Sequence, residues 1–232
     1  GFPIAGTPTD SLDLAEDRER FQQLLHDLQL RQPENAICHT IEKIEETIAK
    51  VGYPVVIRPS NVLGGRAMAT LHNADNLATY LRHNRQFISD GAILIDKFLE
   101  NAIEVDVDAL ADGDDVYIAG LMEHIEHAGV HSGDSACTIP TISLSDSMLG
   151  EIRAASVKLA KALKIVGLMN TQYAIKDNIL YVLEVNPRAS RTVPFVAKAT
   201  GVPVANIASR IMLGEKLKQF HLPTQQPDHF SV

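Results

Sequence analysis

The chain has 232 residues, of which 45% are hydrophobic, and a formal net charge of -8. That length buries a sizeable core in one large domain or two small lobes, and the acidic balance argues against nucleic acid, which needs a basic footprint. No apolar run approaches the roughly 20 residues of a membrane span, Gly1 opens no signal-peptide pattern, and two distant cysteines, Cys38 and Cys137, suit packing in a reducing compartment, so no membrane contact and a cytoplasmic location are expected.

The chain starts without methionine, and a piece of a longer polypeptide is expected. Residues 10 to 30 carry one helix signal, with Asp10 or Ser11 as cap and Leu14, Phe21, Leu24, Leu25 and Leu28 at helical spacing. The charges from Glu16 to Arg20 read as its solvated face. A second helix is expected over residues 40–51, with Ile41, Ile44 and Ile48 on one side and Gly52 as its stop. Val55 to Ile57 predicts a short strand that ends at Arg58-Pro59 and enters a loop containing Gly64 and Gly65. Glycines let backbone N–H groups approach oxyanions, so a phosphate-covering flap fits, although a lone Gly-Gly is also an ordinary turn and neither Walker nor Rossmann spacing is present. Residues 67–71 read as the returning strand and residues 75–84 as a helix with Leu77 and Leu81 inward.

Residues 92–99 read as an apolar strand. Residues 104–109 alternate strictly, putting Glu104, Asp106 and Asp108 on one face and Val105, Val107 and Ala109 on the other; the bland expectation is an exposed antiparallel face. Asp112 to Asp115 is a hairpin turn, and residues 116–121 return. His124, His127 and His131 invite a zinc site, but the zincin pattern is missing, and a strand through residue 126 would put His124 and His127 on opposite faces. Residues 129–135, with Gly129 and Gly133, read as a loop that could meet phosphates through backbone N–H groups. An amphipathic helix is expected over residues 145–164 and a strand over residues 167–175, with Asn170 and Gln172 on one face. A helix broken by Pro194 follows over residues 192–201, then another over residues 204–213 and a polar tail.

The stretch Tyr181 to Arg191 concentrates the chemistry. Pro187 has no N–H for a ladder, so the strand should end at Asn186 with Glu184 and Asn186 on one face. A carboxylate and an amide oxygen pointing the same way suit a hard cation, and Arg188 and Arg191 just beyond suit phosphate. The bland alternative is a strand end with solvated charges. A turn at residues 176–178 makes the two strands antiparallel neighbours, so Gln172 and Glu184 can meet at one cation.

These features together resemble the ATP-grasp fold. The strings Ala15-Glu-Asp-Arg-Glu-Arg-Phe21, Arg58-Pro-Ser-Asn-Val-Leu-Gly-Gly-Arg-Ala-Met68, Met122-Glu-His-Ile-Glu-His-Ala-Gly-Val-His-Ser-Gly-Asp-Ser-Ala136 and Glu184-Val-Asn-Pro-Arg-Ala-Ser-Arg-Thr-Val-Pro-Phe195 are similar to the carbamoyl phosphate synthetase large-subunit family, and specifically to its second, carbamate-phosphorylating half. The resemblance implies an α+β fold with ATP between the antiparallel sheets of two lobes: a lead-in at 1–19, a small lobe at 20–95, a large lobe at 96–215 and a polar tail at 216–232. It implies that Arg18 and Arg58 contact nucleotide phosphates and that Lys97, Leu99 and Glu104 line the adenosine pocket, with Lys97 standing where some members carry histidine. Gly64 and Gly65 would cover the phosphates, and Gly129, Val130, His131 and Ser132 would complete the nucleotide site. Gln172, Glu184 and Asn186 would hold two Mg2+ or Mn2+ ions bridged by Glu184, with K+ as a further candidate cofactor, while Arg188 and Arg191 would hold carbamate and the transferred phosphoryl group. The implied partners are the rest of the large subunit and the glutamine amidotransferase small subunit. Another ATP-grasp carboxylate-amine ligase, or a non-catalytic metal- or nucleotide-binding module, are the alternatives.

Overall fold

The computed structural model of the protein describes residues 4–59, 67–88, 92–128, 135–224 and 227–232. The chain divides into two compact units, Pro33–Asn101, and Gly1–Gln32 together with Ala102–Val232.

Helices α1 (Thr9–Glu16) and α2 (Arg18–Asp27) belong to the larger unit. The expected single helix over 10–30 is broken at Asp17, whose backbone is extended and whose side chain accepts a hydrogen bond from the Arg20 N–H. An aspartate that can cap a new helix satisfies donors that a continuous helix would not leave free, and the two helices keep one hydrophobic period because both face the same core. Phe21 and Leu25 are buried there against Val105, Val107 and Ile152. This packing draws the unit boundary at residues 32/33 rather than at 20.

In the smaller unit, β1 (Asn35–Cys38) precedes α3 (Ile44–Val51), β2 (Val55–Pro59), β3 (Ala69–Leu71), α4 (Ala74–Ile88) and β4 (Ile93–Lys97). The sheet is antiparallel with order β1-β4-β2-β3. Ile44 and Ile48 of α3 and Leu77 and Tyr80 of α4 bury against Val55, Ile57, Ile93 and Ile95. Gly52 ends α3 with φ of 79°, a conformation that glycine adopts without steric cost.

The larger unit continues with β5 (Ile103–Asp112), β6 (Val116–His124), β7 (Cys137–Thr138), α5 (Asp146–Ala162), β8 (Val166–Lys176), β9 (Ile179–Asn186), α6 (Val193–Thr200) and α7 (Val204–Met212). Its sheet is antiparallel throughout, in the order β7-β6-β5-β8-β9. One face carries Val105, Val107, Met169 and Tyr173 against α2 and α5. On the other face Leu110, Ala119, Met122 and Leu168 pack with Val193, Val196, Ile207 and Ile211 of α6 and α7. Pro194 does not break α6: it falls in the first turn, where its missing N–H leaves no helical bond unmade. The polar tail is anchored: Ser231 and Ile139 exchange backbone hydrogen bonds, and the Tyr117 hydroxyl donates to the Pro223 carbonyl at 3.1 Å.

Candidate functional site

Three central strands of the larger sheet set polar side chains in two rows. Asp106 lies opposite Gln172 and Gln172 opposite Glu184; two residues along, Asp108 lies opposite Asn170 and Asn170 opposite Asn186. Directly opposed residues of antiparallel strands share a face with Cβ atoms about 5 Å apart, so each row is a string of neighbours. A register shift between Gln172 and Tyr173 pairs Tyr173 with Val182 and leaves Leu183 without an opposite residue. Such a bulge re-aims side chains, and both Leu183 and Glu184 are exposed.

Burial falls steeply along each row. Asp106 and Asp108 are 3% and 0% exposed, Gln172 is half-buried, and Glu184 is open to solvent. The expectation of an exposed acidic face on β5 is therefore overturned. Its cover is the turn after β9: the Ser190 hydroxyl reaches Asp108 Oδ1 at 2.8 Å and the Thr192 hydroxyl reaches Oδ2 at 2.6 Å, while Asn170 Nδ2 donates to Oδ1 at 2.9 Å. Burial, with the neighbouring Asp106 charge adding, holds the Asp108 carboxyl above the usual range despite these three hydrogen-bond contacts.

On the other side of Asp106, His124 Nε2 lies 3.0 Å from Asp106 Oδ2 and its Nδ1 lies 3.8 Å from Glu104 Oε2. Burial opposes the charged imidazole, but the Asp106 hydrogen bond and the charges of Asp106, Glu104 and Glu126 outweigh it and raise the His124 pKa. The histidine expected to test a zinc site is thus engaged by two carboxylates of β5. Strand β6 ends at His124, so the strand-face argument does not extend to His127. Among the described residues no group of three or more His, Cys, Asp or Glu is arranged to hold a metal; His131 lies outside them.

Gln172 lies opposite Glu184, and Asn186 stands two residues beyond Glu184 on β9. Asn186 Nδ2 donates to Glu184 Oε1 at 2.8 Å, and Arg188 Nη2 donates to Asn186 Oδ1 at 3.0 Å. Two amide oxygens and one carboxylate form a hard-oxygen set that fits Mg2+ or Mn2+, cations that complete their coordination with water or phosphate oxygens. Arg188 and Arg191 are both exposed on the turn.

The remaining expected residues lie elsewhere. Arg18 opens α2, half-buried. In the smaller unit Arg58 is exposed on β2, with its Nε 3.9 Å from Asp96 Oδ2. Lys97 Nζ donates to the carbonyls of Gly52 at 2.9 Å and Tyr53 at 2.7 Å, so its ammonium caps the C-terminal end of α3. Leu99 follows β4, half-buried. Gly64, Gly65, Gly129, Val130, His131 and Ser132 fall outside the described residues.

The family described as carbamoyl-phosphate synthase L chain, ATP binding domain, matches residues 17–220. The chain belongs to that family. Carbamoyl phosphate synthase large chains are its curated relatives: that of Archaeoglobus fulgidus is 56% identical over 219 residues, covering 94% of this chain and 20% of the relative. That of Neisseria meningitidis is 53% identical over 233 residues, covering 100% of this chain and 22% of the relative. The chain therefore spans about a fifth of the length of the large chains it matches. Among solved structures, the biotin carboxylase domain of Hydrogenobacter thermophilus 2-oxoglutarate carboxylase, in complex with MgADP, ADP and bicarbonate, aligns with a TM-score of 0.76 at 20% identity, covering 92% of this chain and 48% of that one. N5-carboxyaminoimidazole ribonucleotide synthetase of Thermus thermophilus aligns at 0.73 and 20% identity, covering 89% of this chain and 54% of that one. The fold is ATP-grasp, as the sequence implied, and this carbamoyl phosphate synthase family member is α+β with two antiparallel sheets.

Sequence reasoning missed the Asp108 hub and the Asp106–His124 pair. The alternation of β5 carried a signal for a shared face, but the residues that bury it, Ser190 and Thr192, are more than 80 positions away.

Proposed function

We propose that this chain is the module that phosphorylates carbamate to carbamoyl phosphate at the expense of ATP within a carbamoyl phosphate synthase large chain. The observation that carries the reading is the Gln172–Glu184 register with Asn186, followed within five residues by Arg188 and Arg191. A carbamate oxygen would form a bond to the γ-phosphorus of ATP as the bond to the β,γ-bridging oxygen breaks, leaving ADP. Gln172, Glu184 and Asn186 would hold the divalent cations, Glu184 between two of them; bound there, the ions neutralise phosphate charge. Arg188 and Arg191 would orient carbamate and stabilise the migrating phosphoryl group, since such transfer depends mainly on positioning and charge neutralisation. Glu104 would accept from ribose hydroxyls, and Arg18, Arg58, Lys97 and Leu99 would make further nucleotide contacts. The proposed partners are the remainder of the large chain and an amidotransferase small subunit.

The test is ADP formation by this chain with ATP, Mg2+ and carbamate, and ATP formation from carbamoyl phosphate and ADP. Weak nucleotide binding with little turnover is expected, because in the family neighbouring segments close the carbamate site, and an open site weakens each electrostatic contact. A rate near that of an intact large chain would show that residues 1–232 suffice. Failure of Mg2+ to strengthen ADP binding would remove the reading.

A further inference from the structure

We propose that Asp108 is a neutral carboxylic acid near pH 7 and that, as a positioning residue, it locks the turn bearing Arg188 and Arg191 through a ring of three protons shared with Ser190 and Thr192. Three oxygen–oxygen contacts close this ring: Asp108 Oδ1 to Ser190 Oγ at 2.8 Å, Asp108 Oδ2 to Thr192 Oγ1 at 2.6 Å, and Ser190 Oγ to Thr192 Oγ1 at 2.6 Å. Contacts this short are hydrogen bonds, and each needs a proton between its oxygens. The two hydroxyls supply one proton each. Asn170 adds an N–H bond to Oδ1 from outside the ring and contributes nothing to the count. If Asp108 were ionised, two lone-pair oxygens would face each other at hydrogen-bond distance with nothing between them. The third proton therefore sits on the carboxyl: Oδ2–H donates to Thr192, Thr192 to Ser190, and Ser190 to Oδ1.

The surroundings agree. Asp108 is 0% exposed, and among the described residues no cation pairs with it. The nearest charge on its own strand is Asp106, and on β6 His124 is held by Asp106 and Glu104. On β7 the Cys137 thiol is pushed up to about 11, chiefly by burial, so it stays neutral and brings no charge. Opposite Asp108, β8 presents the neutral Asn170 and β6 presents Gly120, over which Val196 of α6 packs. Burial favours the uncharged carboxyl.

The consequence is a turn fixed to the central strand of the sheet without a negative charge. A carboxylate there would draw on the two arginines and repel an anion they hold. That consequence rests on the proposed reaction, whereas the proton count does not.

The test needs neither ATP nor carbamate, so its failure is separate from failure of the functional reading. In this chain labelled with 13C-aspartate, the Asp108 carboxyl carbon, assigned through bonds from its own amide, should hold its protonated chemical shift at about pH 7. An ionised shift there overturns the proposal. Asp108→Asn, which can donate from Nδ2 and accept at Oδ1 as the neutral acid does, should leave the Arg188 and Arg191 amide signals in place, and Asp108→Leu should displace them. If the leucine variant leaves both signals unmoved, Asp108 does not lock the turn.

Discussion

Strands β5 and β9 present acidic side chains to the same face of one sheet, yet with opposite outcomes. Glu104, Asp106 and Asp108 step inward: Glu104 keeps 19% of its side-chain surface, while Asp106 and Asp108 keep almost none. Glu184, two strands away in the same row as Asp106, is exposed. Period-two alternation assigns a face, but the segment lying over that face decides burial. The turn after β9 folds back over Asp108, and the bulge at Leu183 lifts Glu184 clear. On this sheet Asp108 is held by Asn170, Ser190 and Thr192, whereas Glu184 is solvated and meets its strand neighbour Asn186.

The largest expected effect falls on the exposed acid. Glu184→Ala, placed in an intact large chain, should lower carbamoyl phosphate formation by roughly two orders of magnitude or more, about 2.7 kcal/mol of barrier. Steady-state turnover checks this, and the thermal midpoint should hardly change because the side chain is solvated. Near-unchanged turnover would reduce Glu184 to a surface carboxylate and erase the contrast with β5.

Asp108→Leu should show the reverse pattern, a loss of stability of about 2 kcal/mol. Asn170 loses its acceptor, while Ser190 and Thr192 can partly turn to each other; an orphaned buried donor costs about 1–3 kcal/mol. For a chain of this length that corresponds to a fall of roughly 4–8 °C in the thermal midpoint. A midpoint within about 1 °C of the parent would mean that the hydroxyls on the turn do not depend on the Asp108 carboxyl.

Gly120→Ala probes the same region from β6. A Cβ there would stand 2.9 Å from Val196 Cγ1 and 3.0 Å from Cγ2. The valine is fully buried, so α6 must move or Val196 must leave its rotamer, an overpacking cost of about 1–2 kcal/mol. The fall should be rescued in Gly120→Ala with Val196→Ala, which restores the space. Additive losses instead of rescue would show that the crowding lies elsewhere.

How much of this could be read from the chain follows the distance over which each feature is decided. Gln172, Glu184 and Asn186 were accessible because strand period, a stop at Pro187 and a short turn at Asp177-Asn178 are all local. Leu183 was not: nothing in its neighbours marks the bulge, which arises from pairing with β8. The break at Asp17 was hidden because Leu14 and Phe21 serve one core from two helices. The edge strand β1, four residues long with one fully buried side chain, left too little pattern to recognise. The burial of Asp108 could not be seen at all, since its partners lie 62, 82 and 84 residues away.

The smallest effect separates two aspartates of the same strand by the sign of their pH dependence. Asp112 is buried as Asp108 is, and desolvation raises its carboxyl pKa; but it accepts from the backbone N–H groups of Asp114, Asp115 and Leu217, with Lys216 nearby, and these together bring its pKa below the usual value. Its contribution to stability is therefore present above the unfolded pKa of about 3.9 and is lost as pH falls through the lower folded value. Asp108 shifts the other way. Its contribution is full below about pH 3.9, where both states are protonated, and declines as pH rises towards the folded value, because the unfolded chain releases a proton that the folded chain keeps. Thermal midpoints of the parent, Asp108→Asn and Asp112→Asn between about pH 2.5 and 7 resolve the two slopes. The parent should lose ground to Asp108→Asn as pH rises, and should gain ground on Asp112→Asn over the acid part of the range. Parallel curves for the parent and Asp108→Asn would mean that the turn is fastened by an ordinary ionised carboxylate. The difference between the two strands would then be one of burial alone, with no difference in charge.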